Sequence, residues 1–212
     1  MPSKYYNRNF RSQYFYHVFN RGAYKNKIFL DNEDYEIFTS IMEYYLKFPR
    51  TRNFAYKKKI NEFQVPNLEE EITVHLVAYC LMPNHFHLLL KQLPGINKKT
   101  NISNLMRRLM ITYSMYFQNK YKHEGAVFQG KYKNVVVDLD EQLVYLSKYI
   151  HLNPRNPGQY QFSSYQAYIQ KTGLPKWLHP EYVFKLQKNY QIFVEQPMDN
   201  KQFEKLKKLL LE

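Results

Sequence analysis

The run Leu81-Met-Pro-Asn-His-Phe-His-Leu-Leu-Leu90 sets two histidines, His85 and His87, two residues apart inside an apolar stretch. On an extended strand, residues i and i+2 share a face, so both imidazoles leave one side while Phe86 and Leu88 enter the other. That spacing suits bidentate capture of a metal ion. A bare His-x-His also occurs as a pair of hydrogen-bonded strand histidines, and so short a pattern often arises by chance. Its meaning therefore depends on what the rest of the chain brings to it.

Immediately upstream, Ile72 to Leu81 is strand-like and long but alternates poorly, and Met82-Pro-Asn turns the chain into the His-Phe-His strand, predicting an antiparallel hairpin. Tyr14 to Asn20 is rich in aromatic and β-branched residues and reads as a further strand, ended by Arg21-Gly22. His17 on that strand could approach an active site, although a satisfied strand histidine is the favoured reading. Asp31-Asn-Glu-Asp supplies a helix N-terminus, and Tyr35, Phe38, Met42, Tyr45 and Leu46 share a face of a helix that ends before Pro49. Downstream, Thr100-Asn-Ile-Ser offers caps for a helix with the stripe Leu105, Leu109, Thr112, Tyr113, Tyr116 and Phe117. Arg107 and Arg108 fall off that stripe and, with Arg21, Lys131 and Lys133, are candidate phosphate contacts.

Tyr132 to Val137 reads as another strand, and Asp138-Leu-Asp-Glu starts a helix carrying Leu143, Leu146, Tyr149 and Ile150 that stops at Asn153-Pro154. Tyr149 and Asn153 are i and i+4, neighbours on one helical face. Residues 1 to 12 read as a polar arm, and 50 to 71, with its runs of like charge, as a surface insertion. Beyond Pro154, helices are predicted near Ser163 to Gln170, Pro180 to Gln187 and Gln202 to Leu211. The expected organisation is a catalytic domain over 1–155 and a helical C-terminal extension over 156–212.

The chain has 212 residues, with 31 Lys and Arg against 18 Asp and Glu, a formal charge of +13 that favours polyanionic partners. Its 21 tyrosines and 15 phenylalanines, interleaved with cations, suit stacking on single-stranded nucleic acid, although many of these rings must fill the core. An acidic membrane surface is the weaker alternative. No segment has the uninterrupted apolar length of a membrane span and the N-terminus lacks a signal core, so a soluble, cytoplasmic protein is expected. Cys80, the one cysteine, sits in an apolar run and is expected to be buried as a small hydrophobe.

Two imidazoles and a side-chain amide leave open positions on a bound ion, as a catalytic site requires. With such an ion polarising a phosphoryl oxygen, a tyrosine phenolate could attack a phosphodiester and form a covalent intermediate. Tyr113, Tyr116 and Tyr145 also lie on predicted helices, but Tyr149 alone has an amide one turn later. Imidazole favours transition ions, whereas phosphodiester chemistry commonly uses magnesium, with manganese between the two.

Four ordered blocks carry a resemblance. Tyr-His-Val-Phe-Asn-Arg-Gly at 16 to 22, Ala-Tyr-Cys-Leu-Met-Pro-Asn-His-Phe-His at 78 to 87, Val-Phe-Gln-Gly-Lys-Tyr-Lys at 127 to 133 and Lys-Tyr-Ile-His-Leu-Asn-Pro at 148 to 154 resemble the single-tyrosine transposases of the HUH superfamily. Within it, the chain is most similar to the REP-associated tyrosine transposases. The resemblance implies an α/β (α+β) fold of ferredoxin-like HUH type, a central antiparallel sheet with helices on it. It implies His85, His87 and Asn153 as metal ligands, Tyr149 as the nucleophile forming a 5′-phosphotyrosine, and magnesium or manganese as cofactor. Single-stranded DNA with hairpins would be the substrate. Relatives include monomers and homodimers that exchange the tyrosine helix.

The insertion at 50 to 71 is longer than that family leads one to expect, and the resemblance fades after Asn153-Pro154. Three other readings compete with a nickase and strand transferase. They are a domesticated, non-catalytic hairpin-binding protein, an HUH replication initiator or relaxase, and a zinc hydrolase built on the histidine pair.

Overall fold

A computed structural model of the chain describes residues 9–49, 72–95, 101–170 and 174–207. The expected insertion at 50–71 and most of the N-terminal arm lie outside the described residues. Four strands, β1 (Phe15–Arg21), β2 (Val74–Met82), β3 (His85–Gln92) and β4 (Lys133–Val137), pair antiparallel in the order β2-β3-β1-β4. Helix α1 (Asn32–Lys47) joins β1 to β2, α2 (Ile102–Tyr121) joins β3 to β4, and α3 (Asp140–His151) follows β4. This is the ferredoxin-like arrangement of βαββαβ units expected from the sequence. Four short helices complete the described chain: α4 (Tyr165–Gln170), α5 (Glu181–Phe184), α6 (Tyr190–Glu195) and α7 (Asn200–Lys207). No described helix is long and apolar enough to cross a membrane.

Strand parity divides the molecule into two cores. Tyr16 and Val18 of β1 and Phe86, Leu88 and Leu90 of β3 face α1 and α2, whose Phe38, Met42, Leu109 and Tyr113 close the first core. Leu89 of β3 and Val137 of β4 face α3, whose Leu143, Leu146 and Ile150 close the second. The poor alternation upstream of the hairpin has a physical origin, because the β2–β3 register shifts between Leu76 and Ala78. A bulge of this kind inverts the side-chain alternation beyond it. Val74 and Leu76 accordingly join the first core before it, and Leu81 joins the same core after it.

Asp31 caps α1 at the helix start read from the sequence, in a capping box with Asp34 at N3. Asp34 is fully buried and accepts from the Tyr116 and Tyr121 hydroxyls and Lys120 Nζ of α2, so it ties the two helices together. Arg108 departs from expectation. Its side chain is buried, with the guanidinium 3.9 Å from the Tyr45 ring centroid and Nη1 donating to Pro49 O at 2.7 Å. Its cation therefore serves α1–α2 packing rather than a polyanion.

The C-terminal segment is bound to β2 and α3. Leu81 N donates to Phe162 O at 2.9 Å, Ser164 N to Tyr79 O at 3.0 Å and His179 N to Leu76 O at 2.8 Å, which covers the β2 edge of the sheet. Lys148 of α3 is 1% exposed, and its Nζ donates to Phe193 O at 2.7 Å and Gln196 O at 2.6 Å. Burial lowers its pKa, an effect that Asp199 opposes. His151 is fully buried with Nδ1 2.8 Å from the Tyr190 hydroxyl and Nε2 2.7 Å from Ser164 Oγ. Helix α6, which supplies several of these partners, is the element the sequence reading missed. Lys148→Met, which leaves the Phe193 and Gln196 carbonyls without their donor, is expected to destabilise the fold by about 2 kcal/mol, read as a lower midpoint in urea unfolding.

Candidate active site

His85 and His87 stand on the α3 face of β3 because Phe86, between them, is held at zero exposure in the opposite core. Their ring centroids are 5.1 Å apart with planes at 85°. His87 is 6% exposed, and its Nδ1 lies 2.9 Å from His17 Nε2 of β1. Burial, reinforced by His17 and His85, holds the His87 pKa well below the ordinary imidazole range, so the ring is neutral at pH 7 and its lone pair available. The other nitrogen, Nε2, is buried with no hydrogen-bond partner among the described residues.

His85 is held from both sides. Its Nδ1 lies 2.7 Å from Asn84 Oδ1 and its Nε2 3.3 Å from Asn153 Oδ1. A neutral imidazole has one N–H and cannot donate to two amide oxygens. With Nδ1–H turned to Asn84 Oδ1, Nε2 presents its lone pair toward Asn153 Oδ1, as two donors sharing a cation would. Two donors each about 2.1 Å from one ion sit roughly 3 to 3.4 Å apart, which matches the 3.3 Å seen here. That separation and the unpartnered His87 Nε2 fit a divalent ion among His85, His87 and Asn153.

Asn153 reaches this position by a capping device. Helix α3 ends at His151, and Asn153 lies just past it with Nδ2 donating to Tyr149 O at 3.0 Å. The NH2 thereby satisfies an orphan carbonyl of the last turn, and Oδ1 is left for His85. The Tyr149 ring stands edge to face against His87 of its own chain, with centroids 5.8 Å apart and planes at 86°. The four side chains that the family resemblance implied thus converge, two from β3 and two from the end of α3.

The cationic candidates divide. Arg21 is exposed, pairs in register with His85, and has its Nε bonded to Gln129 Oε1. Lys133 pairs with Phe19, which in turn pairs with His87, so both cations flank the histidines on the sheet. Lys131 is exposed in the loop before β4. Arg107 is exposed on α2 and donates to Asn104 Oδ1 at 3.0 Å, while the buried Arg108 lies on the same helix, across the sheet from the histidines.

The sequence reading weighed an approach of His17 to an active site and favoured a satisfied strand histidine; its hydrogen-bond partner is His87 itself. Odd-numbered parity on β1 was the available signal, since His17, Phe19 and Arg21 share the His85 face. Gly22 was legible only as a strand terminator. A Cβ there would collide with Asn26 O, and separately Gly22 N donates to Asn84 O at 2.8 Å, just before His85.

With this geometry described, comparison with known proteins gives three findings. A family model described as "Transposase IS200 like" matches residues 10–153, a range that ends on Asn153. A solved structure described as a REP-associated tyrosine transposase bound to a REP hairpin aligns with a TM-score of 0.54 at 12% identity, covering 80% of this chain and 87% of that one. Another, described as a candidate transposase from Deinococcus radiodurans R1, aligns with a TM-score of 0.38 at 15% identity, covering 62% and 85%. No protein with a curated description matches the sequence. His17→Phe, which removes the outer partner of His87, is expected to weaken manganese binding about 10- to 100-fold by isothermal titration while leaving the fold intact.

Proposed function

The chain belongs to the IS200-like transposase family, and on that premise we propose that it is a metal-dependent nickase and strand transferase for single-stranded DNA. The observation that carries this reading is the Tyr149 ring set against His87, 5.8 Å between centroids, within one chain. His85, His87 and Asn153 are the proposed metal ligands and Tyr149 the proposed nucleophile. Held there, magnesium or manganese would supply Lewis acidity that polarises a phosphoryl oxygen and eases loss of the phenol proton, which otherwise leaves near pH 10.

The chain's own residues do the positioning. Tyr149 Oη, having lost its proton, attacks phosphorus, and the new O–P bond forms as the bond to the 3′ oxygen breaks; that oxygen takes up a proton, leaving a 5′-phosphotyrosine and a 3′-hydroxyl. Strand transfer is the reverse step with a different 3′-hydroxyl. Asn153 Nδ2 on Tyr149 O, and Lys148 anchored by two carbonyls, fix the end of α3 against β3. His17 orients His87, and Asn84 orients His85. Arg21 and Lys133 are proposed phosphate contacts beside the site, and Lys131 and Arg107 further exposed ones.

The similarly folded protein is bound to a REP hairpin. For this chain, hairpin-bearing single-stranded DNA is the proposed substrate, supported by the formal charge of +13. A cytoplasmic location goes with that substrate. Because phenol and imidazoles meet within one chain, the proposal needs no exchange of α3 with a second copy.

Incubation with hairpin-bearing single strands and manganese is expected to give a denaturation-resistant adduct that chelation prevents and Tyr149→Phe abolishes. Mixing Tyr149→Phe with His85→Ala/His87→Ala should restore nothing. Undiminished adduct in Tyr149→Phe would exclude this tyrosine, and recovery in the mixture would exclude action within one chain. Hairpin binding with no adduct under any metal would instead favour the non-catalytic DNA-binding reading.

A further inference from the structure

Among the described residues, a second group of metal-ligating side chains gathers at the β2 edge of the sheet, away from the pocket proposed for the nucleophile. His75 comes from β2, and His179 and Glu181 from the segment that enters α5. One donor atom from each lies within 4.8 Å of the other two. His179 Nδ1 is already 3.0 Å from Glu181 Oε1, and the His75 and His179 rings lie parallel with centroids 3.5 Å apart. The Tyr182 hydroxyl sits 2.9 Å from His75 Nδ1 and would serve as the outer partner that orients the ring when Nε2 ligates.

We propose that His75, His179 and Glu181 form a second cation site, of the zinc class, that staples the C-terminal segment to the β2 edge of the sheet. Two imidazoles and one carboxylate are the donor set that a tetrahedral zinc-class ion takes, with a fourth position for water. Donors around such an ion sit about 3.3 Å apart, and because imidazole lone pairs lie in the ring planes, the stacked His75 and His179 rings would swing out of parallel to share it. The backbone is already in place, because His179 N donates to Leu76 O at 2.8 Å and Leu178 bridges Leu76 in parallel register.

Charge sets the selectivity. Lys91 pairs with His75 across the strands, and its ammonium lies 4.1 Å from the Tyr182 ring centroid. That nearby cation opposes hard ions bound through charge alone, whereas imidazole nitrogens bind zinc-class ions through covalency that magnesium does not share. Glu181 supplies the one carboxylate of the set. Zinc rather than magnesium is therefore the ion the cluster favours.

The test uses the untagged full-length chain and counts zinc by titration calorimetry and elemental analysis after gel filtration. His85→Ala/His87→Ala removes the first pocket's imidazoles and is expected to keep one zinc per chain, with a higher melting temperature that chelation reverses. Adding His179→Ala to that background should abolish the remaining zinc. Adding Glu181→Gln, an exposed change that cannot unfold the protein, should weaken it at least as much as the roughly 10- to 100-fold typical of losing an outer-sphere partner. Magnesium should not compete. If the double variant holds no zinc, or holds one that both further changes leave in place, the proposal is overturned.

Discussion

Because successive residues of β3 leave opposite faces of the sheet, the strand that inserts Phe86, Leu88 and Leu90 beneath α1 and α2 necessarily delivers His85 and His87 to the α3 side. Each buried apolar side chain contributes about 1.5 to 3 kcal/mol, so three of them fix the register against slippage. A slip of one residue would put both imidazoles into an apolar core, where an unpaired polar group costs roughly 1 to 3 kcal/mol, and would expose the hydrophobes. The separation of the two rings is thus set by core packing. Any ion they hold meets a preformed pair, with no loop to be ordered on binding.

Helix α3 is fixed differently, by buried polar contacts around its last turn. Lys148 reaches two carbonyls of the C-terminal chain, His151 is held between the Tyr190 hydroxyl and Ser164 Oγ, and Asn153 caps Tyr149 O. Burial depresses the His151 pKa to about 3, so this ring stays neutral and serves as one donor and one acceptor. Directional bonds of this kind set the rotation of a helix more sharply than apolar contacts do. Rotation matters here because Tyr149 faces His87 while its neighbours Lys148 and Ile150 are buried.

The strands, the hairpin, the start of α1 and the pairs His85/His87 and Tyr149/Asn153 were legible because each rests on local periodicity or on i, i+2 or i, i+4 spacing, whereas the meeting of the two pairs was implied only by the family resemblance. Where reading failed, a nonlocal cause decided. The β2 bulge inverts an alternation that no single residue announces, since the shift lies in the pairing with β3. Arg108 lies off the apolar stripe yet is buried, because the Tyr45 face and Pro49 O come from α1 and its exit. His17 looked like a structural histidine because its partner lies 70 residues away. Helices α4, α5 and α6 each lack two full turns of periodicity, so only the approximate places of α4 and α5 could be read and α6 was missed.

A boundary near residue 155 marks a change in sequence character, whereas burial joins the two sides of it. The chain beyond it first covers the β2 edge through Phe162, Ser164 and His179 and then turns to α3 with Tyr190, Phe193 and Gln196. An exposed edge strand invites pairing with other chains, so the cover has a protective role in itself. Its second contact makes it more than a cover. Peeling it away would uncover the sheet edge and at the same time leave Lys148 and His151 buried or exposed without partners, so the extension and α3 are expected to open as one cooperative unit. Since α3 carries Tyr149 and its exit carries Asn153, the distance from phenol and amide to the histidine pair depends on the seating of a segment none of whose described side chains is among the four of the pocket.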